Sequence, residues 1–200
     1  MKVLVRYGTL ALCTVLFLGC GAASKEITLK SQSERTDIFK EVQEGEIIPG
    51  GLVDLTITSS IKTHLEDFYL LESKKSLHGK HGYPFVINID GQAATWKVDG
   101  QRENLPACDQ EGKRVPEGGD GVRYNLQKKI LLKGGSHKIF FGLPDENVFL
   151  QFELALKAGE PYVLEFRPVY LRRGKQPRYF LHGVKTCEVL LNGKAVKPLK

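Results

Sequence analysis

From Leu52 onward, apolar residues alternate with polar ones instead of recurring every three or four positions. Val53, Leu55 and Ile57 fall on one side of an extended chain and Asp54, Thr56 and Thr58 on the other, the period-two pattern of a half-buried strand. Phe85-Val86-Ile87-Asn88-Ile89, the turn Asp90-Gly91 and Ala94-Thr95-Trp96-Lys97-Val98 predict a hairpin, because Asp-Gly supplies cheaply the positive backbone angles of a tight primed turn. Val189-Leu190-Leu191 before Asn192-Gly193 repeats that signal. Between them, Ile130 to Leu132, a Gly134-Gly135 turn and His137 to Phe141 predict two more strands. Val148, Leu150, Phe152, Leu154 and Leu156 then share one face up to Ala158-Gly159, and Tyr162, Leu164 and Phe166 point inward after it. Seven or eight short strands with frequent turns predict an all-β, two-sheet sandwich. No long helix and no repeat of fixed period is legible.

Composition agrees. The chain has 200 residues, 42% of them hydrophobic and 26% charged, which suits one soluble globular domain. Its 21 glycines and 9 prolines are more than a helical bundle tolerates.

The amino terminus has a separate design. Lys2 and Arg6 precede an apolar stretch from Tyr7 to Leu18, and Gly19-Cys20-Gly21-Ala22-Ala23 follows. That is the charge, apolar core and small-residue order of a signal peptide, with a core too short to remain as a spanning helix. The block Phe17-Leu18-Gly19-Cys20 resembles the lipobox of bacterial lipoproteins, with Phe17 where that family usually has leucine. The resemblance implies cleavage before Cys20, lipidation of Cys20 and permanent attachment to a membrane leaflet. The absence of aspartate after Cys20 implies an outer-membrane address on the periplasmic or surface leaflet. The alternative is an ordinary secretory peptide cut near Ala22-Ala23. Cleavage before Cys20 also removes Lys2 and Arg6, so the net charge falls from +6 to +4. That bias is too small to imply a nucleic-acid partner. The expected organisation is signal peptide 1–19, lipidated cysteine and polar tether 20–46, and sandwich domain 47–200. Ile38, Phe39 and Val42 could line a short helix within the tether.

The order Val86-Ile87-Asn88-Ile89-Asp90-Gly91-Gln92, then Leu132-Lys133-Gly134-Gly135-Ser136-His137-Lys138-Ile139, then Leu156-Lys157-Ala158-Gly159-Glu160-Pro161-Tyr162-Val163-Leu164 resembles PEGA-type and related small β-sandwich domains of bacterial envelope proteins. It spans roughly residues 85 to 170, with Asp99 to Tyr124 as a long polar insertion where the family has a short link. The resemblance implies an immunoglobulin-like fold, a hairpin over 156–164, and a surface or glycan-adhesion role. It implies no catalytic residue and no cofactor.

Candidate chemistry is sparse. No nucleophile elbow, metalloprotease helix, phosphate loop or dinucleotide fingerprint occurs. His78 and His81 sit among glycines in Ser76-Leu77-His78-Gly79-Lys80-His81-Gly82 and could turn towards one metal, with His64 as a third ligand if the fold brings it near; otherwise this is a solvated basic turn. Asp109, Glu111, Glu117 and Asp120 form an acidic stretch whose spacing does not match a calcium loop. Cys108 and Cys187, 79 positions apart, either bridge, which would stabilise the fold by roughly 4 kcal/mol, or remain two separate thiols. Arg167, Arg172, Arg173, Lys175 and Arg178, interleaved with Tyr170, Tyr179 and Phe180, form either an anion-binding patch for envelope lipid or glycan, or a basic hairpin that protects a sheet edge. Trp96 is expected in the core rather than on a sugar-binding surface. The resulting expectation is a non-enzymatic, membrane-anchored envelope module that binds an envelope protein or an anionic glycan or lipid. A glycan or cell-wall binder and a metal-dependent protein using the His78/His81 loop are the alternatives.

Overall fold

The computed structural model describes residues 18–42, 50–173 and 178–197. The charged start and nearly all of the apolar stretch fall outside these residues, as do the Cys20 side chain and Lys175. A helix, α1 (Leu18–Lys30), precedes β1 (Phe39–Glu41), β2 (Val53–Thr63), β3 (Tyr83–Ile89), β4 (Gln92–Val98), β5 (Gln101–Leu105), β6 (Gly119–Leu132), β7 (Gly135–Leu143), β8 (Val148–Leu156), β9 (Pro161–Tyr170), β10 (Val184–Leu191) and β11 (Lys194–Val196). They form a seven-stranded sheet ordered β1-β6-β2-β9-β10-β11, with β5 also on β6, and a four-stranded sheet ordered β4-β3-β7-β8. The fold is an all-β two-sheet sandwich, as the alternation predicts.

The inward faces fill the space between the sheets. Phe141 from the smaller sheet stacks on Phe166 from the larger at 3.7 Å, with Phe152 6.0 Å from Phe166. Leu55, Ile57, Ile87 and Leu164 around them are fully buried. The two turns read as tight hairpins are so: Asp90 and Gly91, and Asn192 and Gly193, have positive φ between antiparallel partners.

The expected hairpin over 156–164 is not one. β8 belongs to the smaller sheet, whereas β9 crosses to the larger and runs parallel to β2, from Asp54↔Pro161 to Ser59↔Phe166. Each strand has a single apolar face, so the two are best buried by facing each other across the core.

The segment expected to be a polar tether docks on the sandwich over much of its described length. β3 is buried at all seven positions because α1 lies across its outer face, where Ile27 packs with Val86 and Phe140. Asn88 Nδ2 donates to the Lys30 carbonyl at 2.9 Å. Phe39, expected on a short helix, begins strand β1 instead, paired with the end of β6. An extended chain there satisfies the edge groups of β6, which three apolar residues in a helix could not do. The Gln92 side chain holds it, accepting from Ile38 N–H at 2.7 Å and Phe39 N–H at 3.0 Å and donating to Phe39 O at 2.8 Å.

The insertion 99–124 is also partly sheet. β5 pairs with the start of β6 from Gln101↔Arg123 to Leu105↔Gly119, leaving 106–118 as the loop. That loop, segment 64–82 and residues 178–182 gather at the far end of β2. There even the polar residues Lys62, Thr63 and His64 are buried.

Candidate functional site

Segment 64–82 has no regular secondary structure, so its shape depends on individual contacts. Tyr124, buried in β6, donates its hydroxyl proton to the Lys80 carbonyl at 2.7 Å. Gly79 N–H donates to Thr63 Oγ1 at 3.1 Å, Leu77 N–H donates to the Asp145 carboxylate, and Tyr69 OH donates to the Leu181 carbonyl at 3.0 Å. Gly79 has φ +75 and lies so close to the chain at 65–66 that a Cβ there would sit 2.1 Å from Glu66 N. Glycine is therefore required twice, by conformation and by space.

These contacts bring His78 against His64. His64 Nδ1 faces the Leu65 carbonyl at 2.9 Å, and His64 Nε2 lies 3.0 Å from His78 Nδ1. Glu72 Oε1 completes a triangle, 3.5 Å from His64 Nε2 and 3.7 Å from His78 Nδ1. The other His78 nitrogen, Nε2, lies 2.9 Å from Glu146 Oε1, a close contact off the ideal hydrogen-bond line. Glu146 ends a single 3₁₀ turn, Pro144–Glu146, between β7 and β8. Its carboxylate also accepts from Tyr83 OH at 3.0 Å and Val184 N–H at 2.8 Å.

The electrostatics follow. Burial pushes the His64 pKa down and the adjacent His78 lowers it further, against the Leu65 carbonyl. Burial alone would also lower His78, but the Glu146 carboxylate outweighs it and holds that pKa up. Burial raises Glu146, yet His78, the Val184 amide and the Tyr83 hydroxyl together hold it below the ordinary value. Asp145, half-buried beside them, is raised by desolvation.

Of the expected metal ligands, the fold unites His64 with His78 and separates His81. His81 is 89% exposed in its side chain and lies 3.6 Å from Asp99 instead. The pairing expected for His78 and His81 is thus replaced by His78 and His64, because the chain reverses at Gly79. Glu72 and Glu146 carry no signal in the sequence, since an isolated glutamate in a loop looks like surface charge until the fold places it.

The remaining candidates disperse. Cys108 is exposed in the 106–118 loop and Cys187 is buried in β10, and both are free thiols, so the bridge is not formed. Burial pushes the Cys187 thiol up to about 12. Arg167 pairs with Glu165 at 3.1 Å, the Arg172 guanidinium sits 5.3 Å over the Tyr179 ring, Arg178 lies beside Gly119, and Arg173 is exposed. β9 sits between β2 and β10, so Arg167 guards no sheet edge. Asp109 accepts from Glu111 and Lys113 amides, Glu117 holds Arg123, and Asp120 holds Arg102, while Glu111 is exposed. These carboxylates form no oxygen cage. Trp96 is buried, with its indole N–H donating to Glu41 Oε1 at 2.7 Å, and offers no ring face for a sugar.

Above the histidines, segment 64–82 presents an apolar tip. Leu70 and Leu71 are 102% and 99% exposed, with Phe68 and Tyr69 at 49% and 42%. The Phe68 ring stacks on His64 at 5.6 Å and Tyr69 meets it edge-on at 5.1 Å, so the tip rests directly on the buried cluster. Among the described residues no helix is long and apolar enough to cross a membrane. No family model matches the chain, and no curated protein or solved structure matches it either.

Proposed function

We propose that this protein is a non-enzymatic, lipid-anchored envelope module that docks a partner protein through the tip Phe68–Leu71. The observation that carries the reading is the full exposure of adjacent Leu70 and Leu71 on a segment pinned at several points. Contiguous exposed apolar residues on an ordered scaffold mark interaction surfaces. Burying each leucine fully in a partner is worth about 1.5–3 kcal/mol. The surrounding charge favours a protein socket over anionic headgroups, because Glu66, Asp67 and Glu72 balance Lys74, Lys75 and Lys80. A neutral rim steers weakly towards a charged surface.

The anchor is the other half of the reading, and its support is the lipobox-like sequence at Cys20. With Ile27 packed on β3, a lipid at Cys20 would have a helical leash of only about 10 Å, at roughly 1.5 Å per residue. The sandwich would then stand close to its leaflet. The test is a photo-crosslinking residue at position 70 in whole envelopes, with Val163 as an exposed control site, beside flotation of the unlipidated Cys20→Ser protein with anionic vesicles. A discrete protein adduct from position 70, absent from 163 and removed by Leu71→Ser, is expected, with no flotation. Tip-dependent flotation, or no adduct, would overturn it in favour of a membrane-inserting tip or an inert loop. Palmitate labelling lost in Cys20→Ser tests the anchor separately.

A further inference from the structure

The buried cluster beneath the tip has a feature that the docking reading does not use. His64 directs Nδ1 at a backbone carbonyl, which can only accept, so that nitrogen carries the proton and Nε2 presents its lone pair. His78 directs Nε2 at the Glu146 carboxylate, another acceptor, so in the neutral ring its Nδ1 also presents a lone pair. These two inward nitrogens face each other across 3.0 Å, and Glu72 Oε1, a third donor of electron pairs, faces both. Three lone pairs converging in a largely buried site repel unless a metal ion or a proton lies among them.

The size of the gap identifies which cation fits. Ligands bound to a tetrahedral zinc ion at ~2.0–2.1 Å lie about 3.4 Å apart. The three separations here are 3.0, 3.5 and 3.7 Å. Two imidazoles and one carboxylate are borderline ligands suited to zinc rather than to magnesium or calcium, which call for oxygen throughout. The outer contacts match as well. Metal-bound histidines characteristically give their other N–H to a carboxylate or a backbone carbonyl, which fixes the ring. Both kinds of partner are present, Glu146 for His78 and Leu65 for His64.

We infer that His64 Nε2, His78 Nδ1 and Glu72 Oε1 form a zinc site that staples segment 64–82 to the end of β2. His64 directly follows β2 while Glu72 and His78 lie further along the segment, so one ion joins the base of the segment to two points along it. The fourth position is left for water. Phe68 and Tyr69, packed on His64, then take their orientation from the filled site, so the ion sets how the tip is presented.

The site is independent of what the tip binds and is tested without any partner. Full-length protein in detergent is stripped with a chelator, dialysed and titrated with ZnCl2 by calorimetry, with CoCl2 as a spectroscopic probe. One Zn2+ per chain is expected, with strong visible bands for four-coordinate Co2+. His81→Ala should leave both unchanged, whereas Glu72→Gln should weaken binding at least about tenfold and Glu146→Gln by about 10–100-fold. Zn2+ added to the unaltered protein should slow backbone hydrogen exchange across 65–80, a readout that needs no variant to fold. No stoichiometric uptake, uptake that Glu72→Gln retains, uptake that depends on His81, or unchanged loop exchange on Zn2+ addition would each overturn the inference. The first of these results would mean that a proton alone sits between the two rings.

Discussion

Replacing Gly79 by alanine asks how tightly segment 64–82 is bound to the end of β2. Two costs arise at once. Alanine at φ +75 adopts a left-handed conformation that costs about 1–2 kcal/mol. Its Cβ would also sit 2.1 Å from Glu66 N, 2.6 Å from Leu65 C and 2.9 Å from Glu66 Cα. All three are backbone atoms, which cannot rotate away, and overpacking of this kind costs typically about 1–3 kcal/mol. Gly82 provides the control, because it has the same φ of +75 but its Cβ would meet only Lys97 Cδ at 3.9 Å. Gly82→Ala therefore carries the conformational cost alone, and the difference between the two variants isolates the close approach.

Urea unfolding followed by the single tryptophan, buried Trp96, measures both. With a slope of about 2 kcal/mol/M, the midpoint should fall by roughly 0.5–1 M for Gly82→Ala and roughly 1–2.5 M for Gly79→Ala. Relief of the overlap requires residues 78–80 to lift away from 65–66, so Gly79→Ala should also expose the loop to proteolysis under native conditions. Equal midpoints for the two variants, with unchanged cleavage, would show that segment 64–82 is not held against β2 at this point.

Three further expectations follow from other parts of the molecule. In the native protein a thiol reagent should modify Cys108 rapidly and Cys187 only after denaturation, since Cys187 is buried with its thiol pushed up to about 12; reducing agent should not alter the unfolding midpoint. The Arg123 guanidinium and the buried Lys62 hold Glu103 below its ordinary value of 4.5, against partial desolvation. The stability Glu103 contributes is thus complete above that value and lost as the pH falls through it towards the lowered one, and Glu103→Gln should flatten the acid limb of unfolding free energy between about pH 6 and 3. Finally, Ile27→Ala should cost up to about 2–5 kcal/mol if α1 unfolds together with the sandwich; hydrogen exchange across α1 would instead rise alone if the helix detaches first.

The sequence made faces legible but not partners, for a physical reason. Alternation in Val148–Leu156 and in Tyr162–Phe166 records which side of each strand loses water, and the structure buries those sides. It does not record whether the next strand pairs at the edge or crosses to the opposite sheet, since both arrangements bury the same residues. The run Phe85–Ile89 did carry a further signal, because Val86 and Ile87 are apolar on opposite faces, and a strand covered on both sides needs something above it. What covers it could not be read from α1, which buries only Ile27 among the residues whose side chains are described and so has no amphipathic stripe. The histidine cluster shows the same division. His78 could be recognised as a ligand type from its neighbours, but Gly79 and Gly82 look alike in Ser76–Gly82, and only one of them is pressed against Glu66. That single close approach reverses the chain, turns His78 towards His64, 14 positions earlier, and leaves His81 in solvent. Site chemistry here is thus decided by a backbone contact, and the residue that carries it is the one with no side chain.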